Sequence, residues 1–452
     1  MSQGQWSKLR AMKTAVFLLV CGCTASASEV EPPQDTLFFP TGLAVAPNDA
    51  YLFIANGNSE LRYDSGSVGV MDLGAIDDTV NAWIAGTGQP DACTPDPDHR
   101  ETLQCPADLY LLPGAGARIG NFATAIAVQD TGSGNLRLVV PTRGDPSVAW
   151  IDWDGAAQKL ACNSSGQVFS LCDEAHRLSY VQNDPNIGLM PDEPFGAFAD
   201  SAGQYAVITH LTSGAVTLID SPIGGNAEIS DVAIALFAPD QLTGLRGATG
   251  VAGRTPGSAG DIVYVGARSE SRIQTLTVGR PVNGALPYFV EGDWFFLDTV
   301  GNTSVGGSSD TRGMAFSPSG NTMYVVNRRP ASLQVFDTSL GATGFPNNQG
   351  QGGVAICREG SEVSVVDSGD GERAYVTCFQ DGQIYVVDPR GTATVADIID
   401  VGRGPYSVRS APTRKKLYVT NFLEDTVAVV DIAPTSQYRN RVVLRIGTRR
   451  AP

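Results

Sequence analysis

"YVTNFLEDTVAVVD" occupies residues 418–431, and two further stretches repeat its plan: "YVVNRRPASLQVFD" at 324–337 and "YVTCFQDGQIYVVD" at 375–388. Each reads as a strand rich in β-branched and aromatic residues, a polar turn, and a second strand that closes on Asp. Asn421 serves as an anchor, and Asp431, ten residues on, as its partner. Weaker copies of this pair stand at Asn56/Asp72, Pro141/Asp152, His210/Asp220, Ala267/Thr277, Asn327/Asp337 and Cys378/Asp388. The first copy differs by a longer loop, "GNSELRYDSG". A third segment precedes every anchor: "TGLAVAP" (41–47), "TAIAVQD" (124–130), "FGAFADS" (195–201), "TGVAGRT" (249–255), "RGMAFSP" (312–318), "SEVSVVD" (361–367) and "YSVRSAP" (406–412). Its second residue lies 14 to 17 residues ahead of the anchor in all seven copies. Three points in phase across seven copies define a repeat protein.

Each unit supplies an inner strand of small residues, a Gly/Asp/Pro turn, a second strand ending at the anchor, a short loop and a third strand. A fourth follows in most units, such as "VADIIDVG" (395–402) and "RVVLRIG" (441–447). The strands are apolar at nearly every position, so both faces of each sheet must be covered. Four-stranded sheets stacked around an axis meet that demand, with the small residues innermost, where the sheets crowd. The shortest period, 43 residues from Cys378 to Asn421, suits a propeller blade. The expected fold is therefore all-β: a seven-bladed β-propeller of four-stranded antiparallel blades over residues 37–452, with unequal insertions. A charged fraction of only 17%, with 51 Gly and 27 Pro, fits sheets joined by tight turns, and no helix is expected. The terminal "RVVLRIG" can complete its own blade, which leaves "DTLFF" (35–39) as the candidate latch outside it.

The stretches "LYVTNFLEDTVAVVD", "MYVVNRRPASLQVFD" and "AYVTCFQDGQIYVVD" closely resemble the YVTN-type β-propeller repeat. That family includes exported and surface-layer proteins of bacteria and archaea, and is similar in fold to lactonase-type propellers. The resemblance runs over about residues 38–448 and is loosest where Pro141, His210 and Ala267 replace Asn. It implies an architecture and leaves the activity open.

Lys8, Arg10 and Lys13 precede the short apolar run "TAVFLLV" (14–20) and "CGC", the pattern of an export signal too short to anchor as a helix. The stretch "VCGC" resembles a bacterial lipobox. This implies a lipoprotein signal peptide over 1–22, a lipidated Cys23 and, with Thr24 following, sorting to the outer membrane. Cleavage after "ASA" (25–27), giving a secreted protein, is the alternative, and Met12 is an alternative start. Residues 23–36, small, acidic and Pro-containing, are expected to form a flexible tether. The compartment expected is the outer membrane, cell surface or periplasm, with membrane contact through the N-terminal lipid only. Six cysteines remain beyond Cys21 and Cys23, and in an exported chain an even number points to disulfides. Nearest-neighbour pairing gives Cys93–Cys105, Cys162–Cys172 and Cys357–Cys378. Zinc is disfavoured, because no CxxC pair exists and the three His are scattered.

A net charge of −16 argues against nucleic acid and against anionic lipid as partners. No GxSxG elbow accompanies His99, His176 or His210, no catalytic set can be assembled, and no cofactor or metal is expected. The repeated Asp reads as a turn-former that accepts backbone N–H bonds. The acidic loops "DSGDGE" (367–372) and "DACTPDPDHRE" (91–101) lack EF-hand spacing and read as turns rather than calcium sites. In a propeller the loops between units and the loops after the anchors share one face. Those segments carry Arg143, Arg246, Arg268, Arg312, Arg328, Arg329 and Arg403, while the opposite face takes the turns of Asp49, Asp130, Asp200, Asp261, Asp367 and Asp370. Arginines gathered at a channel mouth suit carboxylate or phosphate groups. The expectation is a monomeric binding or scaffold module that holds an envelope protein or anionic ligand on its Arg-bearing face. The alternative is a lactonase-like or other hydrolytic enzyme that uses the axial funnel.

Overall fold

The computed structural model describes residues 30–180, 190–200, 204–240, 243–254, 261–280, 285–297 and 309–450. Seven antiparallel sheets follow one another along the chain, each adding its strands from the inside outward. Their innermost strands are Pro40–Val45, Ala127–Gly132, Pro194–Ala199, Ala248–Arg254, Thr311–Phe316, Gly360–Asp367 and Pro405–Ala411, which number blades 1 to 7. Every anchor stands at the end of the second strand of its blade or one residue before it. Every partner lies at or near the end of the third, with Thr277 in place of Asp in blade 4.

Seven hydrophobic cores lie between the blades, one for each interface of a closed ring. This is why the strands do not alternate. In the second strand of blade 7, Leu417 and Val419 pack toward blade 6 while Tyr418 packs toward blade 1. The second and third strands are mostly buried on both faces, whereas the fourth strands of blades 4, 5 and 6 are largely exposed, and the core is largest between blades 7 and 1.

The signature residues tie neighbouring strands. Asn421 Nδ2 donates to Val401 O, ahead of its own inner strand, at 3.0 Å and to Thr426 Oγ1, on the third strand, at 3.1 Å. Asn56 accepts from Phe38 N and donates to Ser67 in the same way. The Thr before the anchor works between blades: Thr420 Oγ1 accepts from Ser407 N at 2.9 Å and donates to Thr41 O of blade 1 at 3.0 Å. Thr209 bridges blades 3 and 4, and Thr377 blades 6 and 7, by the same bond. The partner Asp behaves as a turn-former: Asp337, Asp388 and Asp431 each accept from the amide two residues on.

Two expectations are corrected. A helix, α1 (Leu73–Ile84), leaves blade 1 with Asp72 as its N-cap, accepting from Gly74 N at 2.7 Å, and buries Leu73, Ile76 and Val80 at helical spacing. The strand outside blade 7 is not "DTLFF". Arg441–Ile446 completes blade 7, and Leu103–Cys105, from the blade 1 insertion, pairs with it in parallel. Leu37, Phe38 and Phe39 are instead buried, with Phe39 N donating to Asp425. Within the segment expected as a tether, Val30 O accepts from Asp64 N and Glu31 pairs with Arg118, both on blade 1. Cys23 and residues 1–22 lie outside the described residues.

Three disulfides form as paired: Cys93–Cys105, Cys162–Cys172 and Cys357–Cys378, with Cα atoms 4.3, 4.8 and 5.8 Å apart. The first pins the strand that covers blade 7. The second braces the insertion that splits the outer strand of blade 2 into Lys159–Ala161 and Arg177–Leu178.

Candidate functional site: the axial cavity and its arginine mouth

The second residue of each segment that precedes an anchor is the third residue of its inner strand, or in blade 2 stands two residues before it, and lies close to the axis beside the next blade. Six of the seven are small: Gly42, Ala125, Gly196, Gly250, Gly313 and Ser407; the seventh is Glu362. A Cβ on Gly313 would lie 2.6 Å from Glu362 Cα, and one on Gly196 would lie 2.5 Å from Thr249 O, so the inner strands approach as closely as backbone permits. Glu362 is the departure. Its carboxylate accepts from Ser407 Oγ and from Val408 N at 3.1 Å, and pairs with Arg409 at 2.7 Å.

Beside it opens a cavity of about 320 Å³, lined by the inner strands of blades 3 to 7 and by Thr124 and Ala125, which lead into blade 2. Phe195, Val251, Met314 and Phe316 give it apolar walls, whereas Arg312, Arg328, Arg409 and Glu362 are its charged groups. That mixture is typical of a ligand pocket. Tyr406 stands among them. Burial raises its pKa, opposed by Arg312, so the phenol is a neutral donor at ordinary pH.

The mouth lies on the anchor face. Arg268, Arg312 and Arg329 converge on one buried carboxylate, Asp310, at 3.5, 2.9 and 3.5 Å. Three cations on one acid leave two positive charges uncompensated at that point. Arg312 Nε and Asp310 Oδ1, though close, make no aligned hydrogen bond. Arg328 donates to Gly360 O at 2.7 Å and Ser361 Oγ at 3.0 Å and pairs with Glu359. Burial, then the neighbouring Arg312, push its pKa down to about 10. Burial and Arg312 lower Arg268 as well. Arg143 pairs with Glu193, which also takes the Thr212 hydroxyl.

Five of the seven arginines singled out by the repeat therefore surround this mouth. The other two do not join it. Arg246 turns its guanidinium to Phe237 O, and Arg403 binds Leu423 O and Arg450 O beside Glu424. Arg409, Glu362 and Tyr406 were not singled out, because they sit on inner strands read only for their small residues. The signal was present in "SEVSVVD", where an acid stands at a position that is small in every other unit.

On the opposite face the acidic turns are stapled to neighbouring cations. Asp200 and Asp261 share Arg280 at 3.2 Å, and Asp370 holds Arg439 at 2.7 Å. Asp49 accepts from Thr413 N at 2.9 Å. Asp367 accepts from Gly369 N and Gly371 N, an ordinary turn. His210 Nδ1 donates to Asp192 O and Nε2 pairs with the Thr217 hydroxyl within the blade 3 anchor, away from the cavity lining. Among the described residues no group of three or more His, Cys, Asp and Glu has the placement of a metal site.

Fold and cavity together define a seven-bladed β-propeller with an axial, arginine-flanked pocket, and solved propellers, two of them named as lactonases, share the fold. The periplasmic gluconolactonase PpgL of Pseudomonas aeruginosa superposes with a TM-score of 0.53 at 15% identity, over 82% of this chain and 87% of its own. A putative 6-phosphogluconolactonase of Bacteroides fragilis gives 0.53 at 13%, over 92% and 99%. A Lactobacillus plantarum protein gives 0.53 at 13%, over 85% and 92%. At these identities the likeness establishes the fold alone. No family model and no curated protein matches the chain.

Proposed function

We propose that this protein is an extracytoplasmic binding propeller that captures an anionic partner at the mouth of its axial cavity. The observation that carries the reading is the convergence of Arg268, Arg312 and Arg329 on the single carboxylate of Asp310. Cations gathered in excess of their acids, with Arg312 largely buried and Arg329 open to solvent, repel one another and favour an incoming carboxylate or phosphate. Three disulfides accord with an oxidising compartment, and a lipid on Cys23 would tie the ring to the envelope. The test is thermal denaturation with increasing citrate, succinate and inorganic phosphate. A ligand that binds only the folded ring raises the midpoint in proportion to ln(1 + [L]/Kd). At least one anion should do so for the wild type and fail for Arg268→Ala/Arg329→Ala. An equal response from the two proteins refutes the reading.

A second reading, lactone hydrolysis, is favoured by Glu362, the acid among the cavity's lining residues, which pairs with Arg409 and shares the lining with Tyr406, Arg312 and Arg328. The gluconolactonase neighbour gives that reading a substrate class to try. Hydrolysis of gluconolactone above the spontaneous rate, abolished by Glu362→Gln, would make the protein an enzyme. A rate equal to background would leave binding as the function.

A further inference from the structure

The arginine mouth has an apolar neighbour. Arg268 directly follows the second strand of blade 4, Asp261–Ala267. The third strand, Arg272–Gly279, starts four residues later, and its first residue pairs with Phe296, the last residue of the fourth strand, Tyr288–Phe296. Two strand spacings, about 10 Å, thus separate the arginine loop from the outer rim of blade 4. That rim is apolar and open. Phe296 is 67% exposed and Trp294 48%, stacked edge to face with centroids 4.8 Å apart. Ile234, at the same end of blade 3, is 72% exposed. Arg272 lies over the Trp294 ring at 5.5 Å and over Phe237 at 5.4 Å, which places the pair on the blade 3 side. Glu270, the acid on the path between the two regions, is neutralised by Arg272 and also accepts from Ala238 N.

An apolar rim beside a cationic loop is more than a small anion needs. An ion seated among the arginines would leave Trp294 and Phe296 in water. An extended chain rises about 3.3 Å per residue, so three residues cover the distance from the arginines to the aromatics. We infer that the partner at the mouth is an extended segment of another protein, bearing acidic residues and, about three positions along, a large aromatic or aliphatic side chain. This rests on the anion-capture reading above and adds the class of partner. The acids would sit against Arg268 and Arg329, and the large side chain against Trp294, Phe296 and Ile234. Buried aromatics and arginines are the usual anchors of such interfaces.

The experiment uses a fluorescein-labelled synthetic peptide of about ten residues, with two glutamates placed three positions ahead of a tryptophan, read by anisotropy at low salt. Replacing that tryptophan by serine, or both glutamates by glutamine, should each weaken binding about tenfold. On the protein side, Trp294→Ser/Phe296→Ser should match the first loss and Arg329→Glu the second. All three side chains are substantially exposed, so the ring should fold unchanged. A peptide unbound at millimolar concentration overturns the inference. So does a peptide whose affinity ignores its own tryptophan or the Trp294/Phe296 pair. If binding then still requires Arg329, or inorganic phosphate alone displaces the peptide completely, a small anion is the ligand and anion capture survives. If Arg329→Glu changes nothing either, the underlying reading falls with it.

Discussion

At the end of a second strand, three chemically different side chains perform one task. Asn56, Asn327 and Asn421 hydrogen-bond the chain that leads into their own inner strand and, for Asn56 and Asn421, a hydroxyl on the third strand. His210 reaches the equivalent two groups, Asp192 O at 3.3 Å and Thr217 Oγ1 at 2.8 Å. Cys378 replaces the first bond by a covalent one to Cys357, three residues ahead of its inner strand. The imidazole adds a titration. Burial lowers the His210 pKa to about 4, so as pH falls the unfolded chain takes up the proton first. The stability this gives is fully present above pH ~6.5 and is lost as pH drops toward 4, amounting to about 3 kcal/mol. His210→Asn should keep both bonds, remain within about 1 kcal/mol of wild type at pH 7, and lose correspondingly less on acidification. Urea denaturation at the two pH values checks this, and a parallel loss in both proteins would contradict it.

Among elements, the inner strands bear the ring's mutual contacts, and the hydroxyls beside the anchors complete them. Thr420→Val keeps the shape but leaves Ser407 N and Thr41 O, both buried at the blade 7–blade 1 joint, without their partner. The expected loss is about 2 kcal/mol, measurable by chemical denaturation. These strands were legible because three phased positions per unit repeat seven times, and phase survives substitution of any one residue. Cys357–Cys378 was legible for the same reason, since both residues fall at strand ends on one face. Other elements lacked that redundancy. Leu103–Cys105 is three residues long, with no period to detect, and its pairing strand lies some 340 residues away in the chain. The helix α1 did carry a pattern, Leu73, Ile76 and Val80 behind an Asp cap, but it stands in an insertion where the strand repeat gives no frame. At the site, the arginine loops were read from their place in the repeat. Glu362 and Tyr406 were missed because the reading asked which inner positions are small and not which one is otherwise.

The whole ring closes through groups from distant parts of the chain. Asp96, in the blade 1 insertion, is fully buried against Arg445 of blade 7, with Arg449 at 2.8 Å. Burial pushes its carboxyl up, yet the Asp98 amide and these two arginines outweigh it and hold the pKa below the usual carboxylate range. Asp96→Asn should remove one of the two acids that face the buried Arg445, leaving Glu424, and cost about 2 kcal/mol in denaturant titrations. A loss no larger than that of an exposed acid would show the pair to be incidental. Among the described residues the four strands of blade 7 itself all come from the end of the chain, and the blade 1 insertion adds Leu103–Cys105 outside them. The strands of each blade follow in chain order, blade 1 being interrupted by the excursion of Thr94–Pro95 and Leu103–Cys105 onto blade 7, and the two ends of the ring also meet directly, with the Arg450 guanidinium over the Phe39 ring at 4.1 Å. The molecule is therefore a loop in all but one peptide bond's worth of topology. A linker from residue 450 to residue 30, with new termini opened between blades 5 and 6, should yield a circularly permuted protein that melts close to the parent, because every described interface, Leu37 included, would be retained and only the starting point of the chain would have moved.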